Sequence, residues 1–182
     1  VAVITRPGAA SRREEVQEIA AALAPHRSLL HIQAPFTLDG GDVLRLGRTL
    51  HVGLSTRSKA ESVARLDELI APRGYRAVGL PIRDCLHLKS AVSLIGEKLL
   101  LLNPDWVDPA LFPDHDCIAV DPGEAHAANA LLLDGRIVMP AVHERTRARL
   151  AGAGLEVLPL DLSELAKAEG AVTCCSLIVE EH

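Results

Sequence analysis

Aromatic side chains are nearly missing from this chain: its 182 residues include one Trp, one Tyr and two Phe. Any core must therefore be aliphatic, drawn from the Leu, Val, Ile and Ala that dominate an apolar fraction of 48%. No apolar run reaches the roughly 18 residues that a membrane-spanning helix needs, and no segment has the pattern of a secretory signal. Basic residues form no stripe and are not interleaved with aromatics. With a formal net charge of −5, that gives no support to nucleic-acid binding. The four cysteines (Cys85, Cys117, Cys174 and Cys175) show no CxxC spacing and read as reduced thiols of a cytoplasmic protein. A glycine-rich phosphate loop is absent too. Gly40-Gly41 lacks the remaining glycines and precedes no helical pattern, so a Rossmann reading is weak. His, Cys and Asp occur, but no pair has the short spacing of a structural zinc site. No metal and no cofactor are expected.

What is present is a repeated pattern. Asp42–Leu46 alternates like a strand, Gly47-Arg48 makes a turn, and Leu50–Leu54 is a second strand. Ser58 stands where a helix N-cap belongs, with Glu61 three residues on as in a capping box. The helix expected over Lys59–Ile70 puts Val63, Leu66 and Ile70 on one face and stops before Pro72; Ala77–Ile82 closes the unit. The same order returns as Leu86–Ile95, Lys98–Leu102, a short helix near Asp105–Leu111, and Cys117–Val120. It returns again as Ala128–Leu133, an Asp134-Gly135 hairpin turn, Ile137–Met139, a helix over Glu144–Leu150, and Leu155–Leu160. The start of the chain reads as strand, helix (Arg13–Leu23) and strand, and its end as one strand over Ala171–Val179. The expectation is one α/β catalytic domain over residues 1–182, with three complete ββαβ units and two partial ones.

The unusual polar residues gather at or just before the opening strands of these units: Asp39 and Asp42, His87, and Cys174. In a rotationally repeated fold, equivalent positions converge on one axis. A carboxylate, an imidazole and a thiol brought together are what a nucleophilic cysteine requires. Taken singly, each has a plainer explanation. Cys174 and Cys175 fit a buried apolar strand, and Cys85 and Cys117 read as core thiols. His87 in Leu-His-Leu fits a core histidine, Asp39-Gly40-Gly41-Asp42 is a good turn, and Arg12 and Arg57 fit solvated surface charges.

Taken together, several motifs resemble the dimethylarginine dimethylaminohydrolase family. They are Ile4-Thr5-Arg6-Pro7-Gly8-Ala9 with Ser11-Arg12-Arg13, Thr37-Leu38-Asp39-Gly40-Gly41-Asp42-Val43-Leu44, Leu54-Ser55-Thr56-Arg57, Leu86-His87-Leu88-Lys89-Ser90, Ala127-Ala128-Asn129, and Gly170-Ala171-Val172-Thr173-Cys174-Cys175-Ser176-Leu177. The resemblance implies the pentein fold, an α/β propeller of ββαβ units about a pseudo-fivefold axis, here incomplete at the N-terminus. It implies hydrolysis of Nω-methylated arginine to citrulline and methylamines, without a cofactor, membrane or nucleic-acid partner. Cys174 would be the nucleophile, His87 the general acid/base and Asp39 the residue holding the guanidinium. Arg12 and Arg57 would bind the substrate α-carboxylate, and the Ala168 carbonyl its α-amino group. Oligomeric state stays open, a homodimer being one option.

There are departures. The chain begins in mid-strand at Val1-Ala2-Val3-Ile4, its one methionine is Met139, and the family's N-terminal segment, with an acid for the α-amino group, is not matched. Ser58-Lys59 replaces the common Thr-Asn after Arg57, and Ala168-Glu169 precedes Gly170 where Val-Asp or Ile-Asp is usual. Two alternatives belong beside the first reading. One is an arginine deiminase-like enzyme, against which stands Lys89, where deiminases carry Asp. The other is a catalytically inactive binding module, holding a partner or an adventitious zinc ion through Cys174 and His87.

Overall fold

A computed structural model describes residues 1–178. The chain divides into two units, one formed by Val1–Ile82 with Leu86–Leu88, the other by Arg83–Cys85 with the residues from Lys89 onward.

In the first unit, β1 (Ala2–Ile4) pairs in parallel with β2 (Leu29–His31), and α1 (Glu15–Leu23) connects them after a 3-10 turn at Ala10–Arg12. A second sheet follows with β3 (Val43–Leu46), β4 (Thr49–Leu54), α2 (Ala60–Ile70) and β5 (Arg76–Pro81). β3 and β4 are antiparallel, with Leu46 opposite Thr49, so Gly47-Arg48 is the two-residue turn the sequence indicates. β4 and β5 are parallel, joined by the crossover through α2. Val63, Leu66 and Ile70 are buried on one face of α2 against Leu38 and Val52, as their spacing indicates.

Ser58 does not cap this helix. The helix begins at Ala60 with Lys59 as its unassisted N-cap, because the Ser58 hydroxyl is committed to Asp42 and to the Asp39 amide. A good local pattern has lost to a buried tertiary bond.

In the second unit, α3 (Leu88–Ala91, one turn whose first residue belongs to the first unit) leads into β6 (Val92–Gly96), β7 (Leu99–Leu102) and β8 (Asp116–Ala119). The expected strand Leu86–Ile95 therefore begins at Val92, and the expected helix near Asp105–Leu111 is a 3-10 turn over Pro109–Leu111. β9 (Leu131–Leu133) and β10 (Arg136–Pro140) form the last hairpin, followed by α4 (Glu144–Gly152) and β11 (Val157–Leu160). Asp134 (φ 48°) and Gly135 (φ 79°) both occupy the left-handed region, which the mirror-image hairpin turn demands. The Glu124 carboxylate receives the Arg145 and Thr146 amides at the start of α4, satisfying two of its free donors. A short α5 (Ser163–Ala166) follows.

The expected final strand is corrected. Val172–Cys175 forms a 3-10 turn rather than a strand, and Val179 lies outside the described residues. Only Val172 of this turn is buried; Cys174 and Cys175 are exposed, not core thiols. One anchored side chain beside exposed neighbours suits a turn better than a two-sided strand.

The second unit's core is aliphatic, as the shortage of aromatics requires, with Ile95, Leu101, Ile137, Met139 and Leu150 almost wholly buried. Leu101→Ala should lower stability by about 2–5 kcal/mol through lost burial and a residual cavity. Leu158→Ala, at a position 44% exposed on β11, should change it by no more than about 0.5 kcal/mol. Urea unfolding of the two variants checks this contrast.

Candidate active site

The Asp39-Gly40-Gly41-Asp42 turn places two carboxylates of opposite character in the first unit. Its middle is a 3-10 turn, Gly40–Asp42, and the Leu38 amide fixes its entry by donating to the Arg6 carbonyl at 2.8 Å. Asp39 is 5% exposed. Its Oδ1 accepts the Gly8 amide at 2.8 Å. Its Oδ2 lies 3.1 Å from His87 Nε2 and 3.3 Å from Arg57 Nη1. Burial would raise the Asp39 pKa, but the Gly8 amide, His87 and Arg57 outweigh it and hold the carboxyl below its ordinary value. Asp39 is thus a charged acceptor, paired with an imidazole.

Asp42 is fully buried. Its Oδ2 accepts the Ser55 hydroxyl at 2.9 Å and the Ser58 hydroxyl at 2.7 Å, and its Oδ1 accepts the Leu88 amide at 3.1 Å. Burial pushes its pKa up, against the pull of the Ser58 hydroxyl, the His87 charge, the Ser55 hydroxyl and the Leu88 amide. Its bond to the Leu88 amide fixes the backbone directly beside His87. Gly41 fits the same arrangement from the other side: a Cβ there would lie 2.8 Å from His87 Cγ and 2.9 Å from Nδ1. An alanine at 41 would displace the ring.

Three of the residues singled out in the sequence therefore meet within one unit: Asp39, His87 and Arg57. Arg12 stands on the surface at the end of the 3-10 turn Ala10–Arg12, with its guanidinium on the Glu15 carboxylate at 2.8 Å. Cys174 belongs to the second unit, exposed on its 3-10 turn, with its amide donating to the Ala171 carbonyl at 3.1 Å. Ala168 is exposed in the turn after α5, where its amide donates to the Leu165 carbonyl. The sequence patterns missed the supporting groups. Ser55 had no assigned role, Ser58 looked like a helix cap, and Gly8 was noticed only within a motif. Among the other thiols, Cys117 has its pKa raised by local burial and by the neighbouring Asp116 carboxylate, the opposite of what a nucleophile needs.

Among the described residues, no three His, Cys, Asp or Glu side chains are grouped to hold a metal ion, and no helix is long and apolar enough to cross a membrane.

This site can be set beside known proteins. No family model matches the chain. It is 39% identical over 183 residues to the N(G),N(G)-dimethylarginine dimethylaminohydrolase of Streptomyces coelicolor, covering 100% of this chain and 70% of that relative. It is 33% identical over 179 residues to the enzyme of that name from Pseudomonas aeruginosa, covering 97% of this chain and 70% of the relative. The chain belongs to the dimethylarginine dimethylaminohydrolase family. A solved structure of the Pseudomonas aeruginosa family member, a cysteine-to-serine mutant complexed with citrulline, superposes with a TM-score of 0.88 at 31% identity. It covers 94% of this chain and 68% of the solved one. The fold is thus the pentein α/β class that the resemblance implies, and the ββαβ repeats agree with it.

The two carboxylates carry stability of opposite sign with pH. Asp39, lowered in the fold, contributes stability that is present above the ordinary carboxylate pKa of about 4 and lost as pH falls through its native value. Asp42, raised in the fold, contributes in the reverse sense: fully below about pH 4, and lost as pH rises through its native value. Asp39→Asn should flatten the rise of stability with pH across the acid range, and Asp42→Asn should steepen it. Denaturant titrations at stepped pH check this; parallel profiles in both variants and wild type would contradict it.

Proposed function

We propose that this chain hydrolyses Nω-methylated arginine, releasing citrulline and a methylamine through a covalent intermediate on Cys174. The observation that carries the reading is the Asp39–His87 pair, supported by Arg57 and the Gly8 amide, in a member of this family.

A guanidinium carbon is resonance-stabilised and a poor electrophile, so it calls for a strong nucleophile. A thiolate qualifies at neutral pH. Asp39 stays ionised and would attract the cationic substrate group. Its bonds to Gly8, Arg57 and His87 use three of a carboxylate's four acceptor directions. The remaining one, on Oδ1, would accept a guanidinium N–H as a charge-assisted bond. The substrate's own positive charge would favour a thiolate over a thiol as the attacking form.

The thiolate sulfur would form a bond to the guanidinium carbon. His87 would then give a proton to the departing methylated nitrogen as the carbon–nitrogen bond breaks, leaving a thiouronium on Cys174. Neutral His87 would next take a proton from water, and the resulting hydroxide would attack the same carbon. The sulfur leaves as thiolate and the proton on the new oxygen passes to the released amine, giving citrulline and an ammonium ion with His87 and Cys174 back in their starting forms. Asp39, through its 3.1 Å contact with Nε2, would hold the imidazole in place. Arg12 and Arg57 would bind the substrate α-carboxylate, and the Ala168 carbonyl its α-amino group.

A cytoplasmic setting belongs to the same proposal. None of the four cysteines is joined in a disulfide, and thiolate chemistry needs a reducing environment.

Incubation of the chain with asymmetric dimethylarginine should release citrulline. Cys174→Ser should abolish that release, by a factor on the order of 10³ or more, with the fold unchanged by circular dichroism. Release by Cys174→Ser at the wild-type rate would refute the assignment.

A further inference from the structure

The turn carrying Cys174 is exposed, yet the residue immediately before it is gripped from another part of the second unit. Asn129 is 5% exposed and lies between buried Ala127 and Ala128 on one side and Ala130 on the other. Its Oδ1 accepts the Thr173 amide at 3.2 Å. Its Nδ2 donates to the Thr173 hydroxyl at 2.9 Å and to the Lys89 carbonyl at 3.0 Å. One carboxamide thus makes three bonds, two of them to Thr173. A buried amide used this fully has one side-chain position available to it.

The asparagine is itself held at both flanks. Its own amide reaches the His126 carbonyl at 3.4 Å, and the next amide, Ala130, donates to the Ser93 hydroxyl at 3.1 Å. The Cys174 turn also packs on β10 and carries bonds of its own. The Cys174 amide donates to Ala171, the Ser176 hydroxyl donates to the Val172 carbonyl at 2.7 Å, and Val172 is buried. Among the described residues, Asn129 reaches the turn from outside it through two hydrogen bonds to Thr173.

We propose that Asn129 is a positioning residue for the nucleophile: its carboxamide clasps Thr173 and thereby sets where the Cys174 sulfur stands. This rests on the reading of Cys174 as the nucleophile. Asn129 touches neither substrate nor reacting atom and acts through Thr173. One bond reaches the Thr173 backbone, whose amide donates to Oδ1, and the other its side chain, whose hydroxyl accepts from Nδ2. Removing only the second should leave the fold intact and loosen the sulfur. Because covalent attack is sensitive to displacements of about 1 Å, the loss should appear in kcat rather than in KM.

The test uses Thr173→Val, which deletes the hydroxyl acceptor while keeping the shape, and Thr173→Ser, which restores it. Asn129→Ala and Cys174→Ser are run in parallel. Thr173→Val should lower kcat for asymmetric dimethylarginine by roughly 10- to 100-fold with KM unchanged within about a factor of three, and Thr173→Ser should recover most of it. Asn129→Ala should lower kcat at least as far. A residue that only stabilised the fold would shift the urea midpoint and leave kcat of the folded protein alone. Wild-type kcat in Thr173→Val and Asn129→Ala, with Cys174→Ser inactive, overturns the clasp and leaves the function standing. Full turnover by Cys174→Ser overturns both, and is told apart by that variant alone.

Discussion

The interaction on which the site depends is the burial of two carboxylates within a four-residue turn. Side by side and both ionised, Asp39 and Asp42 would repel each other and lose hydration. The structure gives them different partners. Asp39 faces an arginine, a histidine and a backbone amide, so its charge is favoured. Asp42 faces two hydroxyls and an amide, and burial pushes its pKa upward. The two groups are thereby separated in protonation behaviour, which is how neighbouring acids acquire different tasks. Asp39 is left facing His87, while Asp42 ties the turn to the Leu88 backbone.

Everything around this turn follows from that requirement. Ser58 gives up a helix cap, Gly41 omits a side chain so that the His87 ring can approach, and the backbone at His87 ends in a one-turn helix instead of continuing as a strand. The sheet β3-β4-β5 and its helix α2 supply the rigid frame. The turn enters β3 directly, and Ser55 and Ser58 lie just beyond the end of β4. The candidate residues Asp39 and Arg57 sit next to where a strand begins or ends, at the rim that regular secondary structure leaves free.

Much of this was legible in the sequence, and the places where it was not have one cause. Strand alternation and the two-residue turns Gly47-Arg48 and Asp134-Gly135 depend on local chemistry, and they stand where the pattern puts them. The helix face Val63, Leu66 and Ile70 depends on a period of 3.6 and is likewise correct. Ser58 misled because a capping box is read from four residues, whereas the bond that claims its hydroxyl comes from sixteen residues away. Val172–Cys175 misled because its apolar, β-branched composition suits a strand. Its actual conformation answers to Asn129, 44 residues earlier. The family motifs contain Asp39, His87 and Cys174. They do not state the bonds of Gly8, Ser55, Ser58 and Asn129 that hold such residues still.

If the Cys174 sulfur bonds to the guanidinium carbon, Cys174 must carry the reaction intermediate and the other three cysteines must not. The most direct measurement is acid quenching of the chain during turnover of asymmetric dimethylarginine, followed by peptide mass analysis. The expected result is a substrate-derived adduct on the peptide containing Cys174-Cys175, located at Cys174 by fragmentation, with Cys85 and Cys117 unmodified. Citrulline formation accompanied by an adduct on a different cysteine would contradict it.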